Sequence, residues 1–157
     1  MNWFKLVGAT GDPVDENWAE VEARNFTEIR FPWNKPPTEV CSPDRFVLYA
    51  VGSTALIATQ TVDGPPSIRP RRGAAGSRDD RWPHAVKVKT HFFCSPLSSA
   101  PLLRDVAAEI ADKYAKRFRN GSHWKITDEE YETLAKAIEG SGRRYEAGGR
   151  RYEAGDG

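Results

Sequence analysis

Runs of apolar residues in the middle of the chain predict β structure. Residues 46–51 (FVLYAV) and 55–59 (ALIAT) are β-prone and are separated by a three-residue turn that begins at Gly52. This pattern predicts a hairpin in which Gly52 supplies the positive φ of a tight turn. Further along, residues 86–92 alternate, which places Lys87, Lys89 and His91 outward and the intervening apolar residues inward. Residues 2–7 and 122–126 predict two more short extended segments.

Helical spacing follows in the second half of the chain. Residues 102–119 predict the longest helix, which ends at Asn120-Gly121, with a buried stripe of Leu103, Val106, Ala107, Ile110, Tyr114 and Phe118. Thr127 and Glu130 form the pattern of a capping box, which predicts a last helix from there to about Ile138. An earlier helix is predicted to begin near Asp12 or Asp15 and to bury Trp18.

Length and composition favour one domain of ordinary soluble character. The chain has 157 residues, of which 39% are hydrophobic and 29% charged. We assign residues 1–140 to this domain and 141–157 to a flexible tail, in which the segment GRRYEAG occurs twice in succession. No apolar run approaches the roughly 20 residues of a membrane span, and no secretory signal begins the chain. We therefore expect a cytoplasmic protein that does not associate with membranes, with reduced thiols at Cys41 and Cys94.

Charge is unevenly distributed along the chain. The net charge is only +1, but residues 1–40 carry seven acids and four bases, whereas residues 69–125 carry thirteen bases and five acids. Such polarity is typical of a surface that meets phosphates, and it also occurs on surfaces whose charges mix after folding. The candidate phosphate contacts are Arg69, Arg71, Arg72, Arg81, Lys87 and Lys89.

Two tryptophans lie in proline-containing segments without helical or strand periodicity. Trp33 lies in FPWNKPP, and Trp82 lies in DDRWP at the end of a Gly-, Pro- and Arg-rich stretch over residues 63–81. Proline stiffens these connections, so each ring is a candidate wall for a flat ligand such as a nucleobase. The alternative is that each ring folds back and closes one end of the core.

Sequence patterns of catalysis and metal binding are missing. The chain has no nucleophile elbow, phosphate-binding glycine loop, dinucleotide fingerprint or zinc-protease motif. His84, His91 and His123 are not spaced as metal ligands. Asp79-Asp80 has no further carboxylate at a sequence spacing typical of a metal site. We expect no metal, no cofactor and no catalytic residue.

The order of segments resembles the EVE domain of the PUA-like superfamily, which is related to the YTH readers of methylated RNA. The resemblance covers roughly residues 2–140 and is carried by Trp3-Phe4-Lys5, by residues 49–52 (YAVG), by Asp80-Arg81-Trp82, and by the final ITxxEY at residues 126–131. It implies an α+β fold, a small, partly open, mixed β-barrel flanked by helices. It also implies binding of a modified base in DNA or RNA, by flipping the base into an aromatic pocket.

The resemblance also implies roles for individual residues. Trp33 and Trp82 would be the walls of the cage, Asn34 would read a base edge, and Tyr49 would line the floor. Trp18 is the alternative counterpart of the cage tryptophan. Lys5 lies where the family commonly has a lysine followed by a polar residue, but this chain continues with apolar Leu6 and Val7.

Two other functions are compatible with the sequence. The related ASCH-type domains include hydrolases of modified pyrimidine nucleosides, for which Lys5 and Thr10 are candidates by position only. A protein-interaction domain that docks a partner on its Pro-rich aromatic loops is the third hypothesis. The favoured hypothesis is a non-catalytic monomer that binds nucleic acid carrying a modified base.

Overall fold

The computed structural model describes residues 1–8, 25–68, 81–146 and the backbone of residues 151–153. The described elements are nine strands, three α-helices and one 3₁₀ turn at Leu97–Ser99. The strands are β1 (Asn2–Val7), β2 (Glu28–Phe31), β3 (Arg45–Ala50), β4 (Ala55–Val62), β5 (Ser67–Ile68), β6 (His84–Phe93), β7 (His123–Ile126), β8 (Arg143–Glu146) and β9 (Arg151–Glu153). The helices are α1 (Leu103–Lys113), α2 (Ala115–Asn120) and α3 (Asp128–Ser141). The predicted α+β class is confirmed.

One curled sheet organises the described strands in the order β7-β1-β3-β4-β6-β8-β9. β1 and β3 are parallel, whereas β3, β4 and β6 pair antiparallel. β6 is ten residues long and changes partners along its length. Residues 84–87 pair with β2, and residues 88–93 pair with β4. This exchange carries β2 across the concave face, so that Phe31 packs 4.7 Å from the His123 ring of β7.

Side chains alternate between the two faces of the sheet. Trp3 stacks on Phe46 on the concave face, with ring centroids 6.2 Å apart. Phe4 points the opposite way and packs against Trp124 and Phe118, at 4.9 and 5.5 Å, beneath the helices. The consequence is that Lys5, two residues after Trp3, lies on the concave side.

The local predictions for the hairpin and for β6 are confirmed. Gly52 has a φ of 94°, as the tight turn between β3 and β4 requires, and Thr54 in the same turn also has a positive φ of 57°. Lys87 and Lys89 are exposed on β6 while Val86 and Val88 are buried. These outcomes follow from short-range sterics and from the two-residue period of a strand.

Helices cover the convex face. The predicted helix over residues 102–119 is divided at Tyr114, whose hydroxyl donates to Glu130 at 2.6 Å. The capping box is confirmed, because the Thr127 hydroxyl accepts from the Glu130 N–H at 3.1 Å and the Glu130 carboxylate accepts from the Thr127 N–H at 2.9 Å. α3 extends three residues beyond the predicted end at Ile138. Among the described residues, no helix is long and apolar enough to cross a membrane.

The prediction of a flexible tail from residue 141 is corrected for Arg143–Glu146. The first copy of GRRYEAG forms β8 on β6, with Phe93 paired to Arg143, and buries Tyr145 against Phe26 and Phe93 at 5.4 and 6.0 Å. A Cβ at Gly142 would lie 2.5 Å from the Phe93 carbonyl oxygen, so glycine allows the close approach of α3 and β6. The second copy provides β9, which pairs with β8.

The contacts of β8 give a stability prediction. Deleting residues 149–155 leaves the first copy in place, and we expect the free energy of unfolding to change by less than about 1 kcal/mol. In that shortened chain, Tyr145→Ala is expected to cost about 2–4 kcal/mol, because it empties a site between two phenylalanines. Urea unfolding of both variants measures the difference. Equal stability of the two would show that Tyr145 is not packed into the core.

Candidate functional site

The ammonium group of Lys5 lies in the interior, on the concave face. The Lys5 side chain is only 6% exposed, and its Nζ donates to the Leu6 carbonyl oxygen at 2.7 Å. Nζ also lies 4.9 Å from the centroid of the Phe31 ring. Burial lowers the pKa of Lys5 from 10.5 to about 7. Among the described residues, no carboxylate forms an ion pair with this lysine.

His123 lies beside Lys5 on the adjacent strand β7. The two residues are Cα partners in the antiparallel pairing of β1 and β7. Burial, together with the charges of Lys5 and Lys35, lowers the pKa of His123 to about 4, so the imidazole is neutral at pH 7. Its Nδ1 atom is buried and has no hydrogen-bond partner among the described residues. A buried polar atom of this kind is unusual in a folded protein.

The Phe31 ring contacts both the lysine and the histidine. It contacts His123 edge-on at 4.7 Å with an interplanar angle of 76°, and its face is turned toward the ammonium of Lys5. Phe31 itself is fully buried. We call Lys5, Phe31 and His123 the floor of the candidate site.

A short turn after β2 carries Trp33, two residues beyond Phe31 of the floor. The turn is closed by the Lys35 N–H, which donates to the Pro32 carbonyl oxygen at 3.0 Å. Trp33 is 59% exposed and Asn34 is exposed, so Trp33 does not close the core. Lys35 comes near enough to lower the pKa of His123 by its charge.

The antiparallel ladder of β2 and β6 brings Trp82 to the same end of the molecule. Phe31 pairs with His84, so Trp33, two residues after Phe31, and Trp82, two residues before His84, leave the ladder together. The His84 Nε2 lies 3.1 Å from the Trp33 carbonyl oxygen, and the Arg81 guanidinium lies 4.2 Å over the Trp82 ring. The segments that contain the two tryptophans are therefore adjacent at this end of the molecule.

A further apolar residue, which the sequence did not predict, lies beside these two tryptophan segments. Ile68 of β5 also pairs with His84 and is 68% exposed. Trp33 and Ile68 are thus two large, exposed apolar side chains on either side of one histidine. We call Trp33, Ile68, Arg81 and Trp82 the rim of the site.

The predicted phosphate contacts divide into two groups. Lys87 and Lys89 are exposed on one face of β6, and Arg81 is exposed on the rim. Arg69, Arg71 and Arg72 lie outside the described residues, as does Trp18, the alternative cage tryptophan. On β6, Lys87 and Lys89 are an odd number of residues from His84, so they lie on the face opposite to His84 and Phe31.

Tyr49 does not belong to the floor, which corrects its predicted position. Its ring packs against Phe4 and Phe118, at 5.4 and 5.0 Å, on the helix-covered face. β3 pairs Tyr49 with Leu6 and Leu48 with Lys5, so Tyr49 and Lys5 point to opposite sides of the sheet. A one-residue offset in a strand reverses the face of a side chain.

A cleft of about 310 Å³ runs along the outer edge of β7, beside the floor. Its lining includes Trp3, Tyr114, Arg117, His123, Trp124 and Lys125. This volume is near the lower end of those of small-molecule sites and suits a single planar ring. Lys125 is held there by Glu39 at 3.1 Å.

Sequence reasoning missed the floor residues other than Lys5. Phe31 and His123 are 92 positions apart and meet only through the exchange of partners by β6. The alternation of His123 with Trp124 in a short extended segment was the available clue that the histidine faces the sheet interior.

The floor and the rim differ in the chemical groups that they offer. Among the described residues, no group of three or more His, Cys, Asp or Glu side chains could hold a metal ion. The floor offers hydrogen-bond donors from Lys5, one imidazole nitrogen and an aromatic ring. The rim offers apolar and cationic surface.

Comparisons with known proteins show a shared fold. No family model matches the chain, and no curated protein matches it. Among solved structures, the NMR structure of Rpa0253 from Rhodopseudomonas palustris, a structural genomics target, superimposes with a TM-score of 0.55 at 16% sequence identity. The match covers 87% of this chain and 92% of that one. The architecture described above is therefore similar to one that has been determined experimentally.

Proposed function

We propose that the protein is a non-catalytic reader that binds a modified base of DNA or RNA between its rim and its floor. The observation that carries the proposal is the arrangement of a buried lysine and a buried imidazole around Phe31, two residues before the exposed Trp33 in the chain. A flipped base needs hydrogen-bonding groups at depth and aromatic surface at the entrance, and both are present here.

The rim and the strand β6 support contact with a nucleic acid backbone. Arg81, Lys87 and Lys89 are exposed on the same strand or its approach. Each cation that neutralises a phosphate releases counterions, which makes binding weaker as salt concentration rises. Stacking of a base on Trp33 would contribute about 1–3 kcal/mol.

We further propose that the domain is a member of the PUA-like superfamily, of the EVE type. The curled mixed sheet with parallel β1 and β3 supports this assignment, as does the position of Lys5 in the first strand. The family pocket and the floor would then be the same site.

Binding of oligonucleotides to the Trp33 variant tests the reader function. We expect single-stranded oligonucleotides to quench tryptophan fluorescence, and Trp33→Ala to weaken binding about tenfold through loss of stacking. Lys87→Ala with Lys89→Ala is expected to reduce the salt dependence of binding, whereas Lys136→Ala, an exposed lysine on α3, serves as the matched control.

The reader proposal fails if no single-stranded oligonucleotide, modified or unmodified, binds at low salt. In that case a defined protein that co-purifies would favour an interaction domain, in which the exposed Trp33 and Ile68 dock the partner. The Trp33→Ala variant would lose that partner as well.

A second candidate function is hydrolysis of modified pyrimidine nucleosides. The observation that favours it is the pKa of Lys5, which at about 7 lets the amine act as a general base near neutral pH. Thr10, the other candidate by position, lies outside the described residues. Release of acetate from N4-acetylcytidine, abolished in Lys5→Met, would establish this activity.

A further inference from the structure

The hydrogen-bonding capacity of Lys5 is mostly unused. A lysine in its ammonium form, which prevails below its pKa of about 7, has three donors and no acceptor. The Leu6 carbonyl oxygen takes one of them, and among the described residues no other hydrogen bond to Nζ is formed. Burying such a group is costly, and the described residues provide an acceptor for only one of its donors.

The neighbouring His123 complements the lysine. Its imidazole is neutral, and Nδ1 is buried without a partner. A neutral imidazole nitrogen without a proton accepts a hydrogen bond. Lys5 and His123 are Cα partners on adjacent strands, and both approach Phe31 within 5 Å. The floor therefore presents a donor beside an acceptor.

We propose that the floor selects a base that carries an exocyclic oxygen next to a ring N–H, as guanine, uracil and thymine do, over a base that carries an exocyclic amine there. Lys5 donates to the oxygen, and the Nδ1 atom of His123 accepts from the ring N–H. This inference rests on the proposed reader function and names the class of base that the reader takes.

The chemical basis is the mismatch between ammonium and amine. A carbonyl oxygen can accept one of the unused protons of Lys5. The amino group of cytosine or adenine turns its own donors toward the ammonium, which leaves buried donors without acceptors. A site built for a hydrogen-bonded oxygen rejects ligands that cannot supply it.

Matched pairs of modified bases separate this selection from recognition of the modification. The probes are single-stranded oligonucleotides with one base at the centre and abasic positions on either side. Thymine is compared with 5-methylcytosine, and 5-hydroxymethyluracil with 5-hydroxymethylcytosine, because each pair shares its substituent and differs at the oxygen or amine. We expect the oxygen-bearing member to bind at least tenfold more tightly. Methylation of N3 of thymine, which removes the ring N–H, is expected to decrease the advantage about threefold, as in His123→Phe.

Variants of the protein provide the second arm. Lys5→Met keeps the length of the side chain and removes its donors, so we expect the preference to fall below twofold while binding of 5-methylcytosine is retained. His123→Phe keeps the ring and removes Nδ1, and the preference is expected to decrease about threefold. Lys136→Met, on the surface of α3, is expected to behave as the wild type. Cooperative unfolding of each variant verifies that it is folded.

The outcomes distinguish the two proposals. Binding of none of the probes, at any salt concentration, overturns the reader function. Binding without preference, or with preference for the amine-bearing member, overturns the present inference and leaves the reader function standing. A preference that persists unchanged in Lys5→Met also overturns it.

Discussion

Replacing Lys5 by methionine is expected to raise the free energy of unfolding at pH 7 by about 2–4 kcal/mol. The lysine is buried, and its pKa falls from 10.5 to about 7 on folding. That fall corresponds to about 5 kcal/mol, at 1.36 kcal/mol per pH unit. Methionine removes this cost, and the lost contacts with Leu6 and Phe31 reduce the gain.

The stabilisation has a defined pH dependence. Between pH 7 and 10.5 the unfolded chain holds a proton on Lys5 that the folded protein has released, so the stability of the wild type rises with pH across this window. Below pH 7 both states hold the proton and the penalty is complete. The difference between Lys5→Met and the wild type is therefore largest at and below pH 7 and shrinks toward pH 10.

Urea unfolding at pH 6, 7 and 10 measures this effect. Lys136→Met, at an exposed position, is the control, and we expect it to change the free energy of unfolding by less than about 0.5 kcal/mol. A variant that is more stable and yet less selective for its ligand indicates a residue retained for function. Loss of stability in Lys5→Met at pH 7 would contradict the buried, unpaired state of the lysine.

Asp44→Ala is expected to reduce the free energy of unfolding by about 2–4 kcal/mol. The Asp44 carboxylate is buried and accepts from the Trp3 indole N–H at 2.9 Å and from the Cys41 N–H at 3.1 Å. Its removal leaves the buried indole without an acceptor and frees the turn that leads into β3. Because Trp3 lines the cleft beside His123, the floor is expected to loosen as well.

Two controls accompany the Asp44 variant. Asp44→Asn keeps one oxygen acceptor and is expected to lose about half as much stability. Asp112→Ala removes an exposed carboxylate that pairs with Arg104 at 3.1 Å, and its effect is expected to stay below about 0.5 kcal/mol. Equal effects of Asp44→Ala and Asp112→Ala on thermal unfolding would show that the Trp3 bond carries no stability.

Elements set by neighbouring residues could be predicted from the sequence. The turn at Gly52, the capping box at Thr127 and the alternation along β6 each depend on a few adjacent positions. The divided helix at Tyr114 could not be predicted in this way, because the Tyr114 hydroxyl reaches Glu130, which is sixteen residues away.

In the candidate site, too, features set by adjacent residues could be predicted and features set by distant contacts could not. The Pro-rich segment that contains Trp33 was expected near the surface, but the sequence left open whether its ring closes the core; the structure leaves the ring 59% exposed. The composition of the floor depended instead on the register of β1 with its two neighbours, which puts Lys5 opposite His123 and Tyr49 on the other face. That register is fixed by pairing across more than 40 residues and has no local counterpart.

The duplicated heptapeptide makes two different deletions equivalent. Loss of residues 142–148 and loss of residues 149–155 give the same polypeptide, in which Ser141 is again followed by Gly-Arg-Arg-Tyr. Deletion of either copy would therefore leave an identical strand beside Phe93.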